Sequence, residues 1–262
     1  MPAGPSTPAL ALRHVTKVFE DGTRALEDVS FTVDPGELVS LVGPSGCGKT
    51  TALRIAAGLE TPTDGDVERS AAASANLGFV FQDATLLEWR TARSNVELLP
   101  ELRGVPAAER RARAEAALAS VGLSDAGAKR PRQLSGGMRM RVSIARALVS
   151  EPELALFDEP FGALDELTRL SLQVLLQDLF AAARFAALFI THSVAEAVYL
   201  SDRVLVMGPG RIADEVVVPW AHPRAPELRY TAEFAALVGE VSGRLESAGA
   251  SIGDDPRAGV TR

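Results

Sequence analysis

Short, nearly uninterrupted apolar runs recur along the chain, and each stops at a glycine, an acid, an amide or an imidazole. Leu38–Val42 runs into Gly43, Leu77–Phe81 into Gln82, Leu154–Phe157 into Asp158 and Glu159, and Ala186–Thr191 into His192. Runs of this kind read as buried strands, with their polar ends gathered at the C-terminal rim of a parallel sheet. The stretches between them have helical spacing. Pro106–Val121 opens on proline, keeps Glu109, Arg110, Arg111, Arg113 and Glu115 on solvated positions, and gathers Ala117, Leu118 and Val121 on an apolar face before Gly122. The run from Met138 to Val149, Asp165–Phe180 and Ser193–Leu200 also read as helices. Val204–Met207 reads as a strand, followed by the Pro209-Gly210 turn and a last strand near Ile212. At the other end, Ala9–Val18 and Ala25–Val33 carry partly alternating apolar residues around the turn signal Asp21-Gly22, which predicts an antiparallel pair.

The chemistry concentrates where the first buried run ends. Gly43-Pro44-Ser45-Gly46-Cys47-Gly48-Lys49-Thr50-Thr51 has the P-loop spacing, with a strand before it and a helix through Leu53, Ile55 and Ala56 after it. Glycines there let the backbone turn successive N–H groups inward at the positive end of the helix, a nest for polyphosphate. Lys49 would bridge the β and γ phosphates, and the Thr50 hydroxyl would ligate Mg²⁺. Cys47 inside this loop reads either as a thiol exposed to reagents or as a small space-filler.

Other positions gain meaning beside a P-loop. Phe19 precedes the Asp21-Gly22 turn and reads as a core residue or as a platform for an adenine ring. Gln82 is an ordinary strand end unless its strand lies beside the P-loop strand, where its amide reaches Mg²⁺ and the attacking water. Asp158, after a strand expected next to the P-loop strand, is placed for a water-mediated Mg²⁺ contact; Glu159 would polarise a water, and His192 would face the γ-phosphate. Leu86, Leu87 and Trp89 are either buried or an exposed patch that docks a partner. Ser135-Gly136-Gly137 before a helix makes a second anion-binding geometry, and two such sites on one chain predict that two copies share the ligand.

Composition narrows the classes. With 262 residues, 47% hydrophobic and 23% charged, the chain is expected to be a soluble globular protein with a sizeable core. A net charge of −7 and a pI near 5.1 argue against bulk nucleic-acid binding. A single cysteine excludes an intrachain disulfide and fits a reducing compartment. Residues 1–8 read as a disordered N-terminus without a signal peptide, and the Pro, Ala, Glu and Gly-rich tail beyond about Pro219 is uninformative.

In order, Gly43 to Thr51, Gln82, Leu134 to Met138, Leu156 to Pro160, Gly162 to Asp165 and Ile190 to Ser193 resemble the Walker A, Q-loop, signature, Walker B, D-loop and switch-histidine motifs of ABC transporter ATPases, over roughly residues 9 to 218. Within that family, Phe81-Gln82-Asp83 with Leu86–Thr91, Phe161–Asp165 and Leu200–Val204 is similar to the nitrate/sulfonate/bicarbonate (taurine-type) importers. The resemblance implies an α/β fold, a P-loop NTPase with a RecA-like core, an N-terminal antiparallel β subdomain and an inserted α-helical signature subdomain. It places the ATPase domain over 9–220, the helical part at about 90–150 and a tail over 221–262. It also implies ATP and Mg²⁺ as ligands: Phe19 on adenine, the amides of Gly43 to Thr51 and Lys49 on phosphates, and Thr50, Gln82 and Asp158 at the metal. Glu159 is the implied general base, His192 the γ-phosphate contact, and Ser135, Gly136, Gly137 and Asp165 the contribution to a partner's nucleotide. The implied partners are a second copy in a head-to-tail dimer, transmembrane permease subunits docked near Gln82 to Trp89, and indirectly a solute-binding protein, with the chain peripheral on the cytoplasmic face of the membrane. A soluble ABC ATPase outside transport is the alternative. Met138 stands where the signature usually has Gln, and Gly162 where the D-loop often has Ser.

Overall fold

In the computed structural model, which describes residues 7–250, the apolar runs lie side by side in one sheet. In chain order, β1 (Leu10–Val18), β2 (Arg24–Val33) and β3 (Leu38–Val42) precede α1 (Lys49–Ala57), β4 (Asp64–Arg69), α2 (Ala71–Ala75) and β5 (Leu77–Val80). The helices α3 (Ala92–Val96), α4 (Leu98–Leu102), α5 (Ala107–Ser120) and α6 (Gly136–Leu148) follow. The chain continues through β6 (Leu154–Asp158), α7 (Glu166–Ala183), β7 (Ala186–Thr191), α8 (Val194–Leu200), β8 (Arg203–Met207), β9 (Ile212–Val217) and α9 (Ala232–Ala250). Residues 1–6 of the expected disordered N-terminus, and 251–262 of the tail, lie outside the described residues.

The main sheet is six-stranded, in the order β5-β6-β7-β3-β8-β9, parallel except for the last pair. A second, antiparallel sheet has the order β2-β1-β4, so the predicted N-terminal pair forms and gains a third strand. One expectation needs correcting. The strands ending at Gln82 and Asp158 do not flank the P-loop strand; β7 and β8 do, because the unit β6-α7-β7 lays β7 between β6 and β3. Helix α1 packs across both β6 and β7, and so still delivers its first turn to the end of β6.

Alternation along β3 shows how the core is divided. Leu38 and Val42 face the cluster built from α5 to α9, whereas Val39 and Leu41 face the cluster built from α1 and the antiparallel sheet. Helices α3, α5 and α6 pack on one another, with Leu118 and Val121 buried as the spacing predicts, Ala117 half-buried, and Ala114, which the spacing did not mark, buried beside them.

The region past Pro219, where the sequence is uninformative, contains α9. It packs on α8 and β8 through Phe234, Val241 and Ala248. The connection is fastened by Arg224, which is 4% exposed. Its guanidinium donates to the carbonyls of Val198, Tyr199, Ser201 and Trp220 at 2.7 to 3.0 Å, taking up acceptors at the end of α8. Burial brings this arginine down to about 10, which leaves it charged at neutral pH. His222, with its side chain 1% exposed, bonds Asp202, which accepts the Leu38 N–H at the start of β3.

Arg224→Ala strips donors from several carbonyls at once and is expected to cost about 3 kcal/mol. A urea titration with a lowered midpoint and an unchanged slope would register this, and a loss below about 1 kcal/mol would mean that water replaces the guanidinium.

Candidate nucleotide site

The hydrogen-bond register of the sheet sets the geometry of the site. Val42 pairs with Thr191, and Asp158 pairs with Ile190, so Gly43, Glu159 and His192 leave their strands at the same rim. At two glycines of the loop a side chain has no room. A Cβ on Gly43 would lie 2.6 Å from Cys47 Sγ and 2.7 Å from the Met207 carbonyl oxygen, and one on Gly48, where φ is 107°, would lie 2.3 Å from the Ala25 carbonyl. The loop is thus pinned between β8 and β2. Cys47 is buried within it, and burial pushes its thiol up, away from the reactive thiolate.

Lys49 begins α1 with its side chain 5% exposed, and Nζ donates to the carbonyls of Gly43 at 2.8 Å and Pro44 at 3.0 Å. These acceptors are neutral. The nearest carboxylate oxygen, Glu159 Oε1, is 4.0 Å away. The next residue, Thr50, donates its hydroxyl to Asp158 Oδ1 at 3.3 Å. Burial raises the Asp158 carboxyl, and the adjacent Glu159 charge raises it further against the pull of Thr50, Arg54 and Lys49.

Glu159 is the strained residue of the rim. Its φ is 43°, a left-handed conformation that costs a non-glycine residue about 1–3 kcal/mol. The turn is held on both sides, by Glu159 N–H donating to Ile190 at 3.0 Å and by Gly162 N–H donating to the Glu159 carbonyl at 3.1 Å. The result is a carboxylate with Oε2 3.0 Å from His192 Nδ1 and Oε1 facing the lysine.

Lys49, Thr50 and Glu159 open onto a cleft of about 500 Å³, while Asp158 and His192 stand behind them, joined to Thr50 and Glu159 and not themselves lining it. Ser45, Gly46, Gly48, Lys49, Thr50 and Thr51 form its floor, Gln82 and Glu159 one end, and Phe19, 38% exposed, its mouth. Lys17 Nζ lies 5.2 Å from the centre of the Phe19 ring and is fixed by Glu60 at 2.6 Å, so Phe19 is not a core residue. Thr23, Arg24 and Ala25 also line the mouth. Sequence reasoning passed over them, because only the nearby Asp21-Gly22 turn marks the place.

Ser135, Gly136, Gly137 and Asp165 are not brought to this cleft. The Ser135 hydroxyl caps α6, accepting from Met138 N–H at 3.2 Å, and Asp165 caps α7, accepting from Thr168 N–H at 3.0 Å. That amide holds the Asp165 carboxyl below its usual range. Gly137 is a packing glycine, since a Cβ there would meet Thr168 Cγ2 at 2.4 Å. Of the apolar trio after Gln82, Leu86 packs on the core, Leu87 is half-buried and Trp89 is 72% exposed, beside a hollow lined by Glu88, Arg130 and Arg132.

The profile of the family described as "ABC transporter" matches residues 26–162. The aliphatic sulfonates import ATP-binding protein SsuB of Rhodopseudomonas palustris is 46% identical over 244 residues, covering 92% of this chain and 85% of that protein. The chain belongs to the ABC transporter family. SsuB 1 of Pseudomonas aeruginosa is 44% identical over 255 residues, covering 91% of this ABC transporter chain and 97% of its own length. The structure also resembles the ATP-binding cassette MJ0796, solved as a dimer in a post-hydrolysis state bound to ADP and Pi. The TM-score is 0.70 and the identity 32%, covering 81% of this chain and all of that one.

The raised Asp158 carboxyl gives a testable sign. A carboxyl whose folded pKa exceeds its unfolded value favours the fold below the ordinary value of 3.8 and loses that contribution as pH rises through the raised value. In this ABC transporter chain, Asp158→Asn keeps an acceptor for Thr50 and removes the buried charge. It is expected to raise Tm at pH 8 by about 2–4 °C, the shift that about 1 kcal/mol makes in a chain of this size. The gain should shrink as the pH falls through the raised value, and a variant that melts lower throughout would contradict the assignment.

Proposed function

We propose that this chain is the ATP-binding and hydrolysing subunit of an importer for sulfonate-type or related solutes, as in the nitrate, sulfonate and taurine class. The observation that carries the reading is the Glu159 carboxylate, set between Lys49 and His192 at the edge of the P-loop cleft. The kinship with sulfonate importer subunits, which cover nearly the whole chain, favours transport over a soluble ABC ATPase.

ATP enters with its adenine against the Phe19 face and its phosphates along the loop from Gly43 to Thr51. Lys49 exchanges two neutral carbonyls for phosphate oxygens, which bind an ammonium more strongly because they are charged. Magnesium fits the site: Thr50 and Asp158 set a hydroxyl beside a buried carboxylate that lacks a full countercharge, both hard oxygen donors. No cluster of three His, Cys, Asp or Glu lies among the described residues, so phosphate and water would complete the shell. Thr50, Gln82 and Asp158 would hold the ion, which when bound neutralises charge on the β and γ phosphates. Glu159 takes a proton from water as its oxygen attacks the γ-phosphorus and the bond to the β-phosphate oxygen breaks. His192 orients that carboxylate through Nδ1 and reaches the γ-phosphate.

Ser135, Gly136 and Gly137 complete the site from a second copy, with Asp165 at the interface, since their own chain does not bring them to its cleft. No helix among the described residues is long and apolar enough to cross a membrane. Kinship with import ATP-binding subunits supports reading the chain as peripheral on the cytoplasmic face, held there by permease subunits that receive solute from a binding protein. Trp89 and its hollow are the docking point.

Glu159→Gln is expected to leave ATP affinity within about twofold and to cut turnover by about 10²–10⁴, the range for loss of a general base. The same variant should run as a dimer on gel filtration with ATP. Hydrolysis at the parent rate would remove Glu159 from the mechanism. For the docking point, Trp89→Ala should keep basal ATPase and lose permease in co-purification by about tenfold or more, since exposed aromatic anchors carry such contacts. Equal recovery of permease would place the contact elsewhere.

A further inference from the structure

Behind the rim lies a buried carboxylate with no part in the chemistry described above. Glu196, in the first turn of α8, is 7% exposed. Its Oε2 accepts the Thr191 hydroxyl at 2.6 Å, and the Thr191 Oγ1 in turn accepts Ser193 N–H at 3.0 Å. These two bonds clamp the backbone on either side of His192. The other oxygen, Oε1, lies 3.6 Å from Arg169 Nε. Arg169 also donates to the carbonyls of Phe161 at 3.4 Å and Leu164 at 2.9 Å, within the segment that leaves Glu159. Glu196 therefore grips both segments that meet at the Glu159–His192 contact.

The network continues outward. Gln173, 3% exposed, donates to Glu196 Oε1 at 3.2 Å and accepts from Arg229 Nη2 at 2.8 Å. The Arg229 guanidinium lies 3.3 Å from the centre of the Tyr199 ring, so the residues just before α9 rest on the same assembly. Folding alone does not call for this acid. Ser193 already caps α8, and a buried carboxylate is commonly no more stable than a well-packed apolar residue of its size. Burial raises its carboxyl, so its charge is held at a cost.

We propose that Glu196 is a positioning residue for hydrolysis, holding the His192 turn and the 161–165 segment in one geometry, with Gln173 and Arg229 as its outer support. This rests on the ATPase reading above. Glu196 is buried and does not line the cleft; it acts through Thr191 and Arg169 on the orientation of His192 and Glu159. Its loss should therefore slow the chemical step and spare nucleotide binding, which depends on the P-loop at the other side of β7.

The test uses the full chain and compares steady-state ATPase with equilibrium binding of ATP for the parent, Glu196→Gln, Gln173→Leu and Glu159→Gln. Glu196→Gln keeps the size and loses the charge facing Arg169. Its kcat should fall about 10-fold while the Kd for ATP stays within about twofold, a split that a general loss of folded protein does not produce. Gln173→Leu removes the bridging amide and should lower kcat about threefold with the Kd again held, which keeps the idea testable if the first variant fails to fold. Adding Glu196→Gln to Glu159→Gln should lower the residual rate no further, since both act on one step. Rates within twofold of the parent for both single variants overturn the positioning role and leave the ATPase reading standing, as does a fall in kcat matched by the loss of binding. A parent protein that binds ATP without hydrolysing it overturns both.

Discussion

The hydrogen-bond register between β3, β7 and β6 is the constraint on which the site depends. Parallel neighbours advance together, so a fixed register fixes which residues emerge at the same height. With Val42 opposite Thr191 and Ile190 opposite Asp158, the loop glycine, the imidazole and the two acids all surface within about one residue of each other. A slip of one residue in either pairing would turn every side chain of that strand to the other face and shift its end at the rim by about 3.3 Å. The division of β3 between two apolar clusters makes such a slip costly, because Val39 and Leu41 would exchange environments with Leu38 and Val42.

Charge placement at the rim follows from the same arrangement. Asp158 and Glu159 stand together where burial already raises one of them, and the ammonium beside Glu159, Lys49, spends its hydrogen bonds on carbonyls. The charges of the rim are incompletely paired, and the proposed polyphosphate and divalent cation would complete them, with phosphate oxygens for Lys49 and a divalent charge for Asp158. Glu159 is served differently. Its left-handed backbone aims the carboxylate away from Asp158 and towards His192, so adjacent acids in the sequence take separate partners.

Much of this was legible in the sequence because the strands are buried on both faces and their polar ends stand out against apolar runs. The P-loop spacing and the polar strand ends Asp158, Glu159 and His192 could be picked out from type and position alone, although the strand of Asp158 was expected beside the P-loop strand and lies one strand further out. Strand order could not, since no local signal records which buried strand lies beside which; that choice is made by crossover connections and helix packing. Arg24 was missed because it reaches the cleft only through the fold of the β1–β2 turn, and Glu196 because its partners Thr191, Arg169 and Gln173 come from separate elements. The last helix was hidden by composition. Its glycines at 239 and 243 weaken the helical signal and have open space around them, yet Phe234, Val238, Val241, Leu245 and Ala248 keep a helical period along one face.

The close approach of Gly137 to Thr168 ties the remaining pieces together. It brings the first turn of α6 against the first turn of α7, where Asp165 caps and Arg169 reaches back to the Phe161 and Leu164 carbonyls. The two segments proposed to meet a partner's nucleotide, the signature turn and Asp165, are therefore one packed unit and not independent loops. Arg169 is also the link from that unit to Glu196 and hence to the His192 turn of the chain's own cleft. A second copy pressing on Ser135 and Gly136 would thus load a contact that runs, through packed side chains, to the residues that orient Glu159. The proposed sharing of the nucleotide between two chains would thereby have a physical path by which closing one site reaches the other.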